Sequence, residues 1–335
     1  MTLAVAVAAA LFVGVVAYAL FGGADFGSGF YDLTAGGART GAALRTLIDH
    51  SIGPVWEANH VWLIYVLVMW WTGFPESFAT AMSTLILPML FALAGIVLRG
   101  AAFAFRKYAE TLSQARLFGA VFAGSSLIAP FFFGTVAGAI ASGRVPADGT
   151  GDRIGSWVNP TSLFGGLIAV GTCAFLAGCF LCADAERTGQ PRLAGQLRTR
   201  TLGVGVATGV LVFVALVPLR RDAPTLTEGL ETQAAPLIVL SGIAGVATLV
   251  LVYLRRFAVA RVSALVAVAA VISGWGVAQY PWLLVDEVTI NDAAGADTTL
   301  RALLVTVALA VVLVVPAMAY LFRLTQTDAW SRNDA

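Results

Sequence analysis

Charge is what this chain has least of. Only 12% of its 335 residues are Asp, Glu, Lys or Arg, about half of the roughly 25% usual in soluble domains. With 59% hydrophobic residues and a mean hydropathy of +0.86, this deficit excludes an ordinary soluble domain and predicts an integral membrane protein. No basic run is long enough to track a phosphate backbone, and the formal net charge is +1, so nucleic acid is excluded as a partner. Apolar and polar positions do not alternate in segments such as 204–217, which excludes a β-barrel. The first apolar stretch lacks a basic leader and runs on into GGADFGSGF, so a retained first span is expected rather than a cleaved signal.

Histidine and cysteine are scarce too. His50 and His60 are the only histidines, too few for a chain that carried several haems, even counting methionine ligands. Cys173, Cys179 and Cys182 lie in one apolar segment, where thiols behave as small buried apolar groups. The last two have CxxC spacing, but no histidine or second pair lies nearby, so no metal site is expected.

What is abundant is apolar helix. A spanning helix needs about 20 mainly apolar residues, and Gly, Pro and charge divide the chain into nine candidate spans. These lie near 3–23, 57–74, 78–100, 117–141, 160–183, 202–219, 235–254, 260–280 and 300–322. The fold class is an all-α integral membrane protein, one polytopic domain over 1–335. Its longest connections are near 33–55, 142–159, 184–201 and 281–299. No internal repeat marks an inverted-repeat transporter. Threaded through these spans, Arg144, Arg153, Arg220, Arg221 and Arg301 fall on one side of the membrane and the other fifteen basic residues on the other. Basic residues collect on the cytoplasmic side, so the N-terminus is expected outside and the C-terminus inside.

That orientation puts two polar clusters at the cytoplasmic face. In FGGADFGSGFYDL, helical spacing brings Gly22, Asp25, Gly29 and Asp32 onto one face, and small residues there admit a close neighbour. A carboxylate entering hydrocarbon costs at least about 2.5 kcal/mol, so it generally faces a bundle interior or a wet path. Asp25 and Asp32 are therefore proton-path candidates; the plainer alternative is a helix-end carboxylate that caps or pairs with arginine. In IGPVWEANHVWLI, Pro54 suits a first helical turn, and Trp56 and Trp62 suit an interfacial belt. Glu57 and His60 are three residues apart on one face, and histidine titrates near neutrality, so a relay is a candidate role. The alternative makes Glu57 a carboxylate at a helix N-terminus and His60 a hydrogen-bonded helix residue. Asn59 completes the polar set as a structural or partner-contact candidate. Arg99 and Arg106, seven apart on one face, are either headgroup anchors or partners for Asp25, Asp32 or Glu57.

These segments resemble subunit II of the cytochrome bd quinol oxidases. The resemblance is carried by GGADFGSG (22–29), IGPVWEANHVWLI (52–64), LRGAAFAFR (98–106), NPTSLFGGL (159–167), LRTR (197–200), YPWLL with TIND (280–292) and VVPAMAYLF (314–322). Each is weak alone; their order along nearly the whole chain is specific. The resemblance implies nine transmembrane helices arranged as two four-helix bundles plus one peripheral helix, paired with a haem-bearing subunit I. It also implies that the b and d haems and the quinol-oxidising loop belong to that partner, that a small single-helix subunit can accompany them, and that protons for dioxygen reduction come from the cytoplasm. Asp25 matches the family's first-helix aspartate, and Glu57 stands where many members have aspartate. His60 departs from the commoner glutamate or glutamine, and Ala104 stands where an acidic residue often occurs. The expected function is thus the non-haem subunit of an electrogenic, non-pumping quinol oxidase in a bacterial or archaeal cell membrane. The competing expectation is a stand-alone proton-coupled transporter.

Overall fold

The computed structural model describes residues 2–37, 39–52, 56–106 and 108–326; the side chains of residues 52, 56–58, 112, 315, 318 and 321–326 lie outside that description. The described residues form twelve helices and one small hairpin. In order they are α1 (Leu3–Leu33), α2 (Ala42–Ile52), α3 (Trp56–Gly73), α4 (Pro75–Thr84), α5 (Ile86–Arg106), α6 (Leu112–Ala141), α7 (Pro160–Arg187), α8 (Pro191–Asp222), α9 (Pro224–Glu231), α10 (Ala235–Tyr253), α11 (Phe257–Gln279) and α12 (Asp297–Gln326). Strands β1 (Trp282–Leu284) and β2 (Val288–Thr289) pair antiparallel between α11 and α12.

Local sequence starts these helices. Thr2 accepts the Val5 N–H at the head of α1. Thr111 and Gln114 form a reciprocal capping box on α6. Asn159 caps α7 through the Ser162 N–H, with Pro160 at the first helical position. Each satisfies backbone donors that a helix leaves unpaired at its N-terminus.

Eight helices (α1, α5, α6, α7, α8, α10, α11 and α12) are long and apolar enough to cross a membrane. The chain is thus a multi-pass membrane protein, and α3 occupies the position of the expected span at 57–74. Several boundaries differ from the sequence expectation. The span expected at 78–100 is two helices, broken at Leu85, whose backbone leaves the helical region (φ −101°, ψ 23°). Pro88 lies two residues into α5 and has no N–H to extend the ladder back across the break. The first helix runs ten residues past 23, because its glycines are pressed against neighbouring helices rather than exposed as helix breakers. The long connection expected at 184–201 is a three-residue turn, 188–190, between α7 and α8.

Helices α1, α3, α5 and α6 pack on one side, and α7, α8, α10 and α11 on the other; α12 lies peripherally against α1 and α3. The two groups meet along α7, which packs against both α1 and α6. Glycine makes that seam narrow. A Cβ at Gly27 would collide with the Cys173 carbonyl, and one at Gly134 with the Gly165 carbonyl. The largest core cluster, including Tyr31, Ile48, Leu176, Leu197, Val252 and Phe257, joins α1, α2, α7, α8, α10 and α11.

The two ends differ in chemistry. At one, Arg45 and Arg106 gather on Asp32, Arg200 donates to the Thr34 carbonyl, and Arg198 donates to the Val252 and Tyr253 carbonyls. At the other, loops are tied by carboxylates: Asp222 accepts from Thr161, Asp286 from Thr225, and Glu287 from the Ala147 N–H. Asp148 there takes both the N–H and the hydroxyl of Thr150, which hold its carboxyl below the usual range.

Candidate functional site

The site is built on the α1 stretch that carries the glycines. Asp25 is 3% exposed and Arg99, from α5, 2%. Their side chains form a two-pronged link: Arg99 Nη1 donates to Asp25 Oδ2 at 2.9 Å and Nη2 to Oδ1 at 2.6 Å. Nη2 also donates to the Asp25 carbonyl at 3.1 Å, and Nε donates to Ser126 Oγ of α6 at 2.9 Å. Phe26 and Phe122 flank the guanidinium, with ring centroids 5.1 and 5.0 Å away. Such a fork satisfies arginine in a fixed plane, and the aromatic faces add a favourable cation–π contact. Small residues make room: a Cβ at Gly29 would collide with the Ser126 side chain.

Two turns along α1, Asp32 repeats the motif nearer the arginine-rich end. Arg45 Nε donates to Oδ1 at 2.7 Å and Arg106 Nη1 to Oδ2 at 2.8 Å. Arg45 also donates to the Gly36 and Gly37 carbonyls, and Arg106 lies 3.9 Å from Asp49 of α2. Asp32 is as buried as Asp25, although its place near the helix end reads from sequence as interfacial. The pairing of Arg99 and Arg106, left open by their spacing, is therefore settled: each holds one of the two α1 aspartates.

The second polar cluster is only partly described. The side chains of Trp56 and Glu57 lie outside the described residues. Asn59 is 2% exposed, and its Oδ1 has no hydrogen-bond partner among the described residues. The His60 ring packs between Tyr18 and Phe26, with centroids 6.4 and 6.1 Å away. This brings His60 beside the residue that follows Asp25. Trp62 stacks on Phe21 and meets Tyr65 edge-on.

Sequence reasoning missed three contributors. Ser126 is one hydroxyl among many in an apolar helix, and nothing in its local pattern marks it. Arg45 reads as a loop charge but belongs to α2 and closes over Asp32. Asp184, 8% exposed near the end of α7, did carry a signal: a carboxylate in CADAER at the edge of an apolar run. A cavity of about 70 Å³ lies between α1, α2, α3 and α7, with Asp25, Asn59 and Asp184 in its wall.

No group of three or more metal-ligating side chains converges among the described residues. Cys173, Cys179 and Cys182 are unbridged thiols, and Cys182 Sγ lies 3.6 Å from Thr201 Oγ1. His50 Nδ1 sits 2.8 Å from the Thr46 carbonyl of its own helix.

The model of the family described as cytochrome bd terminal oxidase subunit II matches residues 3–325. The chain belongs to that family. Among curated relatives of this subunit II, cytochrome bd ubiquinol oxidase subunit 2 of Bacillus subtilis is 29% identical over 199 residues, 58% of each chain. Cytochrome bd-I ubiquinol oxidase subunit 2 of Escherichia coli K12 is 28% identical over 215 residues, 61% of this chain and 53% of that one. The aligned stretches thus span little more than half of the curated relatives' lengths. A chain of the bd oxidase from Geobacillus thermodenitrificans superposes with a TM-score of 0.81 at 25% identity, covering 97% of this chain and 98% of its own.

Proposed function

We propose that this chain is the non-haem subunit of a cytochrome bd-type quinol:dioxygen oxidoreductase, pairing with a haem-bearing subunit I and delivering cytoplasmic protons toward it. Family membership supports this over a stand-alone transporter. The observation that carries the proton role is the Asp25–Arg99 link: a fully buried carboxylate, held by a guanidinium, inside the arginine-rich end of the bundle. Intramembrane ionisable groups are expensive and mark ion or proton routes. The arginine-rich end is read as cytoplasmic because basic residues collect there, which makes Asp32 and Glu57 the groups nearest the entrance and Asp25 the inner one. His60 is the candidate neighbour that tunes the path beside Phe26.

The b and d haems expected in the complex supply electron transfer and oxygen chemistry; this chain's residues hold and pass protons and brace the partner. A small single-helix subunit and a quinol site on subunit I complete the proposed assembly, in a bacterial or archaeal cell membrane.

The test is the complex purified with Asp25→Asn or Glu57→Ala. Quinol oxidation and charge generation in proteoliposomes are expected to fall at least several-fold while haem content is retained. Undiminished charge movement in both variants would remove the proton role. Purification of the native chain without a haem-bearing partner would remove the oxidase assignment itself.

A further inference from the structure

The cavity between α1, α2, α3 and α7 is walled mainly by apolar side chains, with a few polar groups set among them. Asp25 and Ser28 enter it from α1, Ser51 from α2, Asn59 from α3 and Asp184 from α7, with Phe180 as part of its apolar wall. Its volume of about 70 Å³ is several times the roughly 10–15 Å³ that one water requires on this measure. Asn59 is 2% exposed and is one of the residues that line this space, and its Oδ1 has no hydrogen-bond partner among the described residues. A buried carbonyl oxygen in that state calls for a donor, and water is the donor a cavity of this size beside it admits.

The rest of the lining suits water as well. Ser28 Oγ donates to the Asp25 carbonyl at 2.6 Å, which leaves its lone pairs to accept. Each Asp25 oxygen takes one Arg99 N–H, and a carboxylate oxygen has capacity for a second donor. Asp184 is paired only loosely with Arg187, at 3.6 Å on the next turn of α7. Among the described residues, the charged groups around Asp184 are Arg187 on its own helix and Asp25 across the cavity. The described lining residues of α2 and α3 are Ser51 and Asn59, both uncharged.

We propose that this cavity holds a short chain of water that carries protons from Asp184 to Asp25, with Asn59 as the positioning residue that orders it. Asp184 is then an outer carboxylate of the route, reaching Asp25 from the α7 side. A proton arriving from the aqueous face binds Asp184, passes along the water chain by hydrogen-bond exchange, and leaves toward Asp25; no electron moves and the net transfer is one proton. This rests on the proton role proposed above for Asp25.

Two measurements on the complete oxidase complex test it. A high-resolution electron cryomicroscopy map is expected to show ordered solvent within hydrogen-bond distance of Asn59 Oδ1, and to lose it in Asn59→Leu. Turnover of Asp184→Asn is expected to fall three-fold or more, most at alkaline pH where protons are scarce, and to recover in Asp184→Glu. Asp25→Asn is measured alongside: if it is impaired while Asp184→Asn matches wild type at every pH, the cavity route fails and the Asp25 role stands. If Asp25→Asn is itself unimpaired, the underlying proton role fails. A cavity that is dry, or filled by a lipid chain or a partner side chain, overturns the proposal. So does an Asp184→Asn loss that is uniform in pH and not restored by glutamate, which would make Asp184 structural.

Discussion

Arg99 shows what a single residue can do when four of its five N–H donors are engaged. Its guanidinium spends donors on both Asp25 oxygens, the Asp25 carbonyl and Ser126, between two phenylalanine rings. Removing one partner of such a buried pair strands the other charge, at a cost of about 3–5 kcal/mol, whereas replacing both by apolar groups is often far cheaper. Arg99→Leu is therefore expected to lower the thermal unfolding midpoint of the complex sharply, and Asp25→Leu combined with Arg99→Leu to recover most of the loss. If the double variant is as unstable as the sum of the singles, the pair is not coupled as described. At this scale the sequence was half legible. Glycine spacing and the cost of a buried charge pointed to Asp25, and heptad spacing set Arg99 and Arg106 on one face. Which acid each arginine would choose depended on how three helices lie together, and no local pattern carries that.

Among the elements, α1 and α7 approach closely, and their contact is made of missing side chains. A methyl group at Gly27 would meet the Cys173 carbonyl, which cannot swing aside because it belongs to the α7 backbone. Gly27→Ala is expected to cost about 1–3 kcal/mol by overpacking. Gly119→Ala on α6 is the control: nothing lies within 4 Å of its Cβ position, so the substitution is expected to be neutral or to gain up to about 1 kcal/mol from helix propensity. Equal stability losses in urea or heat would refute the seam. The same glycines explain why the sequence placed the end of α1 too early. Gly22, Gly23, Gly27 and Gly29 weaken an isolated helix, but here α7 and α6 fill the space beside Gly23, Gly27 and Gly29, and Tyr18 of α1 itself that beside Gly22. The break at Leu85 was overlooked for the opposite reason: the stretch is mainly apolar, and hydropathy does not register a lost N–H at Pro88.

For the whole molecule, the all-helical membrane architecture was the most legible feature, because twenty-residue apolar runs are long-range signals that survive local irregularity. Helix α3 and the eight longer spans fall where the apolar runs lie. The proposed orientation makes a direct prediction. Arg153, exposed in the α6–α7 connection, and Arg192, exposed at the start of α8, lie at opposite ends of the bundle. In intact cells a membrane-impermeant maleimide is expected to label Arg153→Cys and to reach Arg192→Cys only after permeabilisation; the reverse pattern would invert the chain. The two aspartate links have one more effect. Asp25 pairs with Arg99 and Asp32 with Arg106, so both links join positions 74 apart in sequence, and the seven-residue steps on α1 and α5 are equal. Seven residues at about 1.5 Å each place the links roughly 10 Å apart along the helices. Two pins at equal spacing fix the axial phase of α5 against α1: a slip of one residue would unseat both together, and one turn would leave each arginine facing a residue that is not its acid. When bilayer thickness changes, helices usually answer by tilting, and this pair is built to tilt as a single beam.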